Sequence, residues 1–306
     1  MQDLFNESIQ NIKRAHIIYF TGTGGTARVS SQFEESLTSH GIEVQKAALD
    51  MQEAEYCTLS TNIQKDSLLI LIFAVHAFDA PEPVYDWINA IPDGIGRPAV
   101  VISVSGGGEV WPNTACRAGC IKLLERKGYN VFYERMMVMP SNILVATKDQ
   151  LAIRLLQVLP TKAENCVSEI LSGVRRRRRA PIMSRIMTAI FKSEKKWAKK
   201  FPEYLRIGET CTGCGWCLEN CPRKNIELVN SRPSFGGQCV ACLRCIYGCP
   251  YKSIYIHRIG FITIKEGYDL DELEQRMSGV ALEPIEKIKA GILFIGVRDY
   301  LLNKDV

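Results

Sequence analysis

Twelve cysteines give this sequence its clearest chemical signal, because eight of them lie between Cys211 and Cys249. This segment holds two copies of one pattern, Cys-x2-Cys-x2-Cys-x3-Cys-Pro, and residues 211–228 align without gaps to residues 239–256. Reduced thiols are the rule in the cytosol, so such clustering in a chain without a secretory signal indicates metal or redox chemistry rather than disulfides. The sequence therefore contains an internal repeat suited to metal binding.

Each copy is the run by which bacterial ferredoxins hold cubane iron–sulfur clusters. Three thiolates of one loop reach one cluster, and the fourth, redirected by the following proline, reaches the other. We therefore expect two [4Fe-4S] centres with crossed ligands. The first would be bound by Cys211, Cys214, Cys217 and Cys249, and the second by Cys239, Cys242, Cys245 and Cys221. Structural zinc is the alternative, but a zinc ribbon takes one cysteine pair from each of two distant knuckles.

A second signal lies near the start of the chain, where an apolar run leads into glycines and hydroxyls and then into a helical pattern. Exposed N–H groups and the helix dipole at such a position attract phosphate, and hydroxyls donate further hydrogen bonds. The predicted phosphate loop consists of Thr21, Gly22, Thr23, Gly24, Gly25 and Thr26. It matches neither the Walker pattern nor the dinucleotide pattern Gly-x-Gly-x-x-Gly. The sequence thus predicts a phosphate site without a cationic side chain in the loop.

The elements that must position these residues alternate between strand and helix. Apolar runs at 15–20, 67–73 and 98–104 lack in/out alternation, which is typical of parallel strands covered on both faces. Weaker strands are predicted at 43–49 and 129–136, and helices from 26 to 39 and near 84–90, 113–127 and 147–171. Five strand–helix units predict a doubly wound α/β domain, and the cysteine repeat predicts a small α+β domain after it.

The stretch Ile17 to Thr26, IIYFTGTGGT, resembles the fingerprint of the flavodoxin family, Ser/Thr-x-Ser/Thr-Gly-x-Thr after an aliphatic and aromatic strand. The glycine loop and the cysteine repeat follow each other within residues 15–256. In this order they resemble fusion proteins of anaerobes in which a flavodoxin-like domain precedes a two-cluster ferredoxin domain. The resemblance implies the strand order 2-1-3-4-5, bound FMN and electron transfer between the clusters and FMN. Two hypotheses remain beside it: an FMN-dependent reductase of a small organic or disulfide substrate, and a redox sensor.

In flavodoxins the flavin ring lies at the carboxyl ends of the third and fourth strands, in agreement with the switch-point rule for doubly wound sheets. The resemblance therefore gives the candidate ring contacts Ala74, Val75, His76, Ala77, Phe78, Ser105, Gly106, Gly107, Gly108, Trp111 and Asn113. Glycines let the backbone approach the ring edge, and Phe78 or Trp111 would stack on its face. Ordinary packing is the alternative for both aromatic side chains.

Two further features have a plain interpretation beside a functional one. Cys116 and Cys120 lie four residues apart on a predicted helix, where they form either a redox pair facing the flavin or buried small side chains. The run Arg175–Arg179 predicts either a solvated linker face or a surface that attracts an acidic redox partner or anionic lipid. No recognition motif accompanies the charge, so nucleic acid is excluded as the expected partner.

The length and composition limit the number of domains and the class of protein. A chain of 306 residues with 46% hydrophobic and 23% charged residues fits about two globular domains. The predicted boundaries are a flavodoxin-like domain at 1–172, a basic helical linker at 173–205, a ferredoxin domain at 206–258 and a C-terminal helical extension at 259–306. We expect a cytoplasmic protein, because no apolar run approaches the roughly 20 residues that span a bilayer and no secretory signal is present.

The extension contributes one more expectation. Pro284 stands where a helix would start, followed on one side by Ile285, Ile288, Ile292 and Ile295. An apolar stripe of this kind predicts a helix packed either on a domain of the same chain or on a second subunit. A homo-oligomer is therefore compatible with the sequence.

Overall fold

The computed structural model describes residues 9–50, 67–178, 183, 184, 186, 194–288, 291 and 294–303. Cys57, Arg179, Ile292 and most of the basic apolar stretch at 182–191 lie outside the described residues. No helix within the described ranges is long and apolar enough to cross a membrane.

The first half of the chain forms a five-stranded parallel sheet. Its strands are β1 (Arg14–Phe20), β2 (Glu43–Ala48), β3 (Ser67–Ala74), β4 (Pro98–Ser105) and β5 (Asn130–Val138). Their order is β2-β1-β3-β4-β5, as the resemblance implied, and all four pairings are parallel. The helices are α1 (Gly25–Ser39), α2 (Glu82–Ala90), α3 (Ala118–Arg126) and α4 (Asp149–Leu171). The prediction of a doubly wound α/β domain is confirmed.

Both faces of this sheet are buried, because consecutive residues of each strand enter different cores. Ile70 and Ile72 join the core under α1 and α4, whereas Leu69 and Leu71 join the core under α2 and α3. Full burial of one such side chain is worth about 1.5–3 kcal/mol, so a strand apolar on both sides is stable only between two helical layers. The lack of alternation in the sequence has this physical cause.

One predicted helix is shorter than expected. The pattern at 113–127 predicts one continuous helix, but the structure has a 3-10 turn at Asn113–Ala115 and then α3. The Asn113 side chain donates hydrogen bonds to Ser105 Oγ at 3.0 Å and to the Gly108 carbonyl at 3.2 Å. These bonds hold the start of the segment in the loop that follows β4, so the α-helix begins only at Ala118.

The cysteine-rich part folds into two small antiparallel pairs. The strand β6 (Leu205–Ile207) pairs with β9 (Ile254–Ile256), and β7 (Ile226–Val229) pairs with β8 (Arg232–Phe235). Short helices α6 (Trp216–Glu219) and α7 (Arg244–Tyr247) occupy matching places in the two repeats. The helix α5 (Glu194–Lys200) and a 3-10 turn at Phe201–Tyr204 precede this domain.

The internal repeat is visible in the backbone. Three pairs of residues 28 positions apart share a positive φ: Gly213 and Ala241, Gly215 and Leu243, and Lys224 and Lys252. The left-handed region is uncommon for residues with a Cβ, so its recurrence at equivalent positions marks one loop conformation used twice.

The extension after residue 258 lies on the first domain. It contains 3-10 turns at Gly260–Ile262 and Ile285–Lys287, with the helices α8 (Leu270–Met277) and α9 (Ile295–Leu301). Leu273 of α8 joins the core under α1, and buried Lys162 of α4 donates a hydrogen bond of 2.8 Å to the Tyr300 carbonyl. The prediction of a helix starting at Pro284 is wrong, since only three residues there form a 3-10 turn. Gly291, at φ 70°, is incompatible with a continuous helix.

The described arginines of the basic run are tied to β5 and its surroundings. The Arg176 N–H donates to the Phe132 carbonyl at 3.0 Å, and Arg176 forms a single parallel β-bridge with Tyr133 of β5. Arg177 pairs with Glu125 at 2.6 Å and with Glu134 at 3.3 Å. The described part of this run therefore contacts the first domain instead of lying only in solvent.

Candidate cofactor sites

The first set of cysteines lines one cavity, which is partly open to solvent. Its wall contains Cys211, Cys214, Cys217 and Cys249. Trp216 closes one side, because a Cβ on Gly248 would lie 1.9 Å from its ring. Only glycine allows the indole to cover this cavity. Three thiols of the first repeat thus meet one thiol of the second, which is the grouping that crossed ligation requires.

The second set lines a separate cavity. Its wall contains Cys221, Cys239, Cys242 and Cys245, together with Pro222 and Val240. Here one thiol of the first repeat joins three of the second. The structure therefore brings together the two groups of residues that the sequence analysis proposed.

Backbone N–H groups point at several of these sulfurs. The Asn225 N–H lies 3.4 Å from Cys221 Sγ, and its counterpart in the second repeat, the Ser253 N–H, lies 3.3 Å from Cys249 Sγ. Such bonds stabilise a thiolate. Burial acts in the opposite direction and raises the pKa of Cys239 to about 12. A positively charged iron centre would overcome that cost, so the donor set fits a cluster.

A single metal ion fits this arrangement less well. A tetrahedral zinc site needs four ligands that converge to about 2.3 Å from one point. No group of three or more His, Cys, Asp or Glu side chains in the described part of the chain is arranged to hold one ion. A cubane places each thiolate on a different iron atom, which requires the cysteines to surround a volume rather than a point.

The predicted phosphate loop lies at the carboxyl end of β1 and opens α1. Gly24 precedes the helix at φ 95°, a left-handed conformation that suits glycine, and its N–H donates to Thr21 Oγ1 at 3.1 Å. Thr23 Oγ1 accepts a hydrogen bond of 2.8 Å from Asn142, which follows β5. The Thr26 side chain is buried. A Cβ on Gly25 would lie 3.2 Å from the Tyr268 hydroxyl, so the loop is closely surrounded.

The loop after β3 makes a tight turn. His76 and Asp79 exchange two backbone hydrogen bonds of 3.0 and 2.9 Å, and Ala77 and Phe78 between them have φ values of 48° and 61°. Positive φ at a bulky residue is strained, and strain of this kind concentrates at ligand-binding loops. The Val75 N–H continues the pairing with β4 by donating to the Val104 carbonyl at 2.9 Å.

His76 faces the second domain. Its ring contacts Phe20 edge-on at 5.6 Å between centroids, and burial lowers the pKa of the imidazole to about 4 against an opposing hydrogen bond with the Val240 backbone. The imidazole is therefore neutral at pH 7. Phe78 is partly buried and Ala74 lies at the last position of β3.

The loop after β4 packs against the segment that follows β5 on one side and against α9 on the other. The Gly107 N–H donates to Ser105 Oγ at 3.2 Å, and a Cβ on Gly106 would lie 2.7 Å from the Ser141 backbone. On the other side, a Cβ on Gly108 would lie 2.6 Å from the backbone of Gly296 in α9. Asn113 supports this loop from within, as described above. Trp111 is 60% exposed. The indole therefore has a free face, and the glycines serve close backbone packing.

These three loops share one edge of the sheet. The chain order reverses between β1 and β3, and ligands of doubly wound sheets bind outside the carboxyl ends of the strands at such a switch point. A ligand bound at this switch point would contact the start of α1 and the loops after β3 and β4.

The second domain reaches this edge directly, which sequence reasoning missed. A Cβ on Gly22 would lie 2.4 Å from the Cys242 carbonyl oxygen, and Val240 joins the core of the first domain. Arg244 donates to the carbonyls of Thr21 at 2.7 Å and Gly22 at 3.1 Å. The sequence gives one indication of this contact: Arg244 occupies the position in the second repeat that Trp216 occupies in the first.

The scattered thiols near the predicted flavin are packing residues. Cys116 and Cys120 are fully buried. Burial raises the pKa of Cys116 to about 11, and it also raises the pKa of Cys120 well above its usual value. A reactive pair needs a lowered thiol pKa, so the structure does not support the redox-pair hypothesis.

An ion network beside Cys116 ties the loop after β4 to β5. Arg117, 1% exposed, donates to Glu134 at 2.8 Å and to Ser103 Oγ at 2.8 Å, and it also pairs with Glu109. Glu109 follows the three glycines directly. The buried charges are satisfied by one another, which fixes the base of this loop.

Comparison with known proteins gives matches of structure alone: no family model and no curated protein matches the sequence. A flavodoxin variant from Pseudomonas aeruginosa is 12% identical with a TM-score of 0.39, covering 53% of this chain and 98% of its own. The two-electron reduced flavodoxin of Megasphaera elsdenii is 13% identical with a TM-score of 0.35, covering 52% and 98%. General stress protein 14 of Treponema denticola, in complex with FMN, is 10% identical with a TM-score of 0.35, covering 53% and 97%.

The strand order of this chain defines the class of its first domain, which has a flavodoxin-like fold. A small cysteine-rich domain with two antiparallel strand pairs follows it.

Proposed function

We propose that this protein transfers single electrons between two [4Fe-4S] clusters and a bound FMN. One observation carries the proposal: the cysteine loop of the second repeat lies against the phosphate loop, at the contact between Gly22 and Cys242. A cluster bound by that cysteine set would be the nearer of the two to the flavin edge of the sheet.

The residues present fit both cofactors. Four thiols surround each of two cavities, with backbone N–H groups directed at sulfur. The glycine and threonine loop at the start of α1 supplies N–H and hydroxyl donors for a phosphate. When bound, FMN supplies exchange between one-electron and two-electron chemistry, whereas each cluster supplies single electrons.

The exposure of the two cysteine sets supports a direction of transfer. Cys214 of the first set is exposed, and Leu228, Val229 and Tyr251 near its cavity are also exposed. The second set instead faces the first domain through Cys242 and Val240. We propose that an external redox protein exchanges electrons with the first cluster, which passes them through the second cluster to the flavin.

The protein's own residues hold the centres in place and set their surroundings. The cysteine loops keep both clusters in one rigid repeat, and the N–H groups directed at sulfur favour the reduced state of a cluster. Trp216 packs over Gly248 beside the first cavity, and Val240 lines the second cavity and packs into the core of the first domain. Electron transfer requires no acid or base residue, so no catalytic side chain is assigned.

The test is anaerobic purification with counts of iron, sulfide and FMN, followed by rapid mixing with dithionite. About eight iron atoms and one FMN per chain are expected from two cubanes and one flavin site. Cluster reduction should precede bleaching of the flavin. Zinc in place of iron, absence of flavin, or reduced clusters that leave the flavin yellow would each refute the proposal.

Two ligand variants separate the clusters. Cys242→Ser alters the set that contacts the first domain, and Cys214→Ser is the matched control in the exposed set. Dithionite also reduces flavin directly, so the rates are compared. Cys242→Ser should slow flavin bleaching relative to the wild type, whereas Cys214→Ser should leave the rate near that of the wild type, because dithionite reaches the second cluster directly. Turnover of a small organic or disulfide substrate without any protein acceptor would favour the reductase hypothesis instead.

A further inference from the structure

The phosphate loop is oriented from outside its own domain. Arg244 Nη2 donates to the Thr21 carbonyl at 2.7 Å, and Arg244 Nε donates to the Gly22 carbonyl at 3.1 Å. In a trans peptide the C=O and the following N–H point in opposite directions. A guanidinium that holds these two carbonyls on one side therefore directs the N–H groups of Gly22 and Thr23 to the other side.

Arg244 itself is held in a fixed position. Its Nη1 donates to the Asn220 carbonyl at 3.0 Å and lies 3.3 Å from Asp50 Oδ2, and its side chain is only 15% exposed. The residue sits between Cys242 and Cys245, so the fold of the second cysteine loop sets where its guanidinium lies. The planar fork of arginine suits this task, because it presents several donors in one rigid plane.

Gly22 makes the approach possible. A side chain there would meet the Cys242 carbonyl oxygen at 2.4 Å, so the two backbones are already in contact. Among the residues that the structure describes, the cation that binds these two carbonyls is Arg244, which belongs to the second repeat and not to the first domain.

We propose that Arg244 makes FMN binding depend on the docking of the cysteine-rich domain, by holding the phosphate loop in the orientation that binds the phosphate. This proposal rests on the proposed function, because it takes FMN as the ligand of the loop. Arg244 is a positioning residue: it contacts the loop carbonyls and acts on the phosphate only through the backbone. Binding and docking are then linked, so each strengthens the other by the same factor.

The test measures FMN affinity in the full chain with its clusters in place. Protein freed of FMN is titrated anaerobically with FMN, and quenching of the flavin fluorescence gives the dissociation constant, with the iron count as a check of the clusters. Arg244→Gln removes the positive charge and replaces the guanidinium by a single amide group. Arg244→Lys keeps the positive charge but replaces the planar guanidinium by an ammonium group. The matched control is Arg223→Gln, which removes another ion pair between the domains, Arg223 to Asp86 of α2 at 2.7 Å, and leaves the bonds of Arg244 to the loop carbonyls in place.

We expect Arg244→Gln to weaken FMN binding about tenfold, since hydrogen bonds from a charged donor are stronger than neutral ones. Arg244→Lys should weaken it nearly as much, and Arg223→Gln by less than about twofold. Amide exchange at residues 22–24 should become faster in Arg244→Gln only. These results with normal iron content would support the proposal.

Three results would overturn it. Wild-type affinity in Arg244→Gln would show that the loop is oriented without the second domain. Full affinity in Arg244→Lys would show that charge alone matters. An equal loss in Arg223→Gln would show that general loosening of the domains is the cause. Each leaves the proposed function intact if reduced clusters still bleach the flavin, whereas a wild-type chain that binds no FMN refutes the proposed function itself.

Discussion

Replacing Gly22 by alanine perturbs the domain contact at one point. The new Cβ would lie 2.4 Å from the carbonyl oxygen of Cys242, and ordinary contact begins at about 3.4 Å. The two backbones must therefore separate by about 1 Å. The obstructing atoms are backbone atoms and a Cβ, so no flexible side chain can move aside instead. Gly22 itself lies outside the left-handed region, so alanine adds no backbone strain of its own.

The size of the effect follows from this overlap. Forcing a methyl group into a close-packed contact costs about 1–3 kcal/mol. That cost falls on the docked arrangement of the domains, so the ratio of docked to undocked molecules should drop by roughly five- to 150-fold. Gly237→Ala is the control, because a Cβ there meets nothing within 4 Å and Gly237 has no positive φ. It should leave docking unchanged.

The assay is anaerobic amide exchange of the loops at 21–26 and 239–245, together with the rate of flavin bleaching after cluster reduction. In Gly22→Ala both loops should exchange faster and bleaching should slow, while the iron content stays the same. Exchange and bleaching rates equal to those of the wild type would refute the inference that these two loops are packed against each other.

Three further outcomes are expected. Arg117→Met should destabilise the protein by about 3–5 kcal/mol in urea unfolding, because it removes the main partner of buried Glu134 and of partly buried Glu109, and adding Glu134→Gln should recover part of the loss. A loss below about 1 kcal/mol would contradict this. The lowered pKa of His76, about 4 in the folded chain, gives stability that is present above the unfolded pKa of 6.5 and lost as the pH falls toward 4. Between pH 7 and 5.5 the wild type should therefore lose about 1 kcal/mol that His76→Gln retains, and equal acid sensitivity of the two proteins would speak against a buried neutral imidazole. Gly296→Ala places a Cβ 2.4 Å from the Gly107 carbonyl and should cost about 1–3 kcal/mol, whereas Gly260→Ala, on the same extension with nothing within 4 Å, should cost nothing measurable.

Local sequence patterns were sufficient to predict the central strands of the sheet. The runs at 67–73 and 98–104 are apolar at every position, and the ends of β3 and β4 agree with those predictions to within one residue. Such runs can be interpreted without coordinates because burial on both faces leaves no position for a polar side chain. The strand order followed from the resemblance of the glycine loop, and the structure confirmed it.

Patterns were less informative where a distant segment competes for the same residues. The helix expected from Asn113 begins only at Ala118, because the Asn113 side chain bonds to the loop after β4. The helix expected from Pro284 is replaced by a 3-10 turn and a later helix, α9. A periodicity of apolar residues records which side chains are buried, but it does not record which backbone groups are held by other parts of the chain.

Short segments of the sequence are enough to predict the chemistry available to this protein: the spacing of the eight cysteines, the donors of the glycine and threonine loop, and the apolar strands that carry that loop. Each of these features depends on neighbouring residues alone. The folded chain was needed to find that Arg244 binds the carbonyls of Thr21 and Gly22, more than 220 residues away, and that Gly296 covers Gly108. The physical reason is that a hydrogen bond or a backbone contact depends on where two segments are placed in space, and that placement results from the packing of all the elements together.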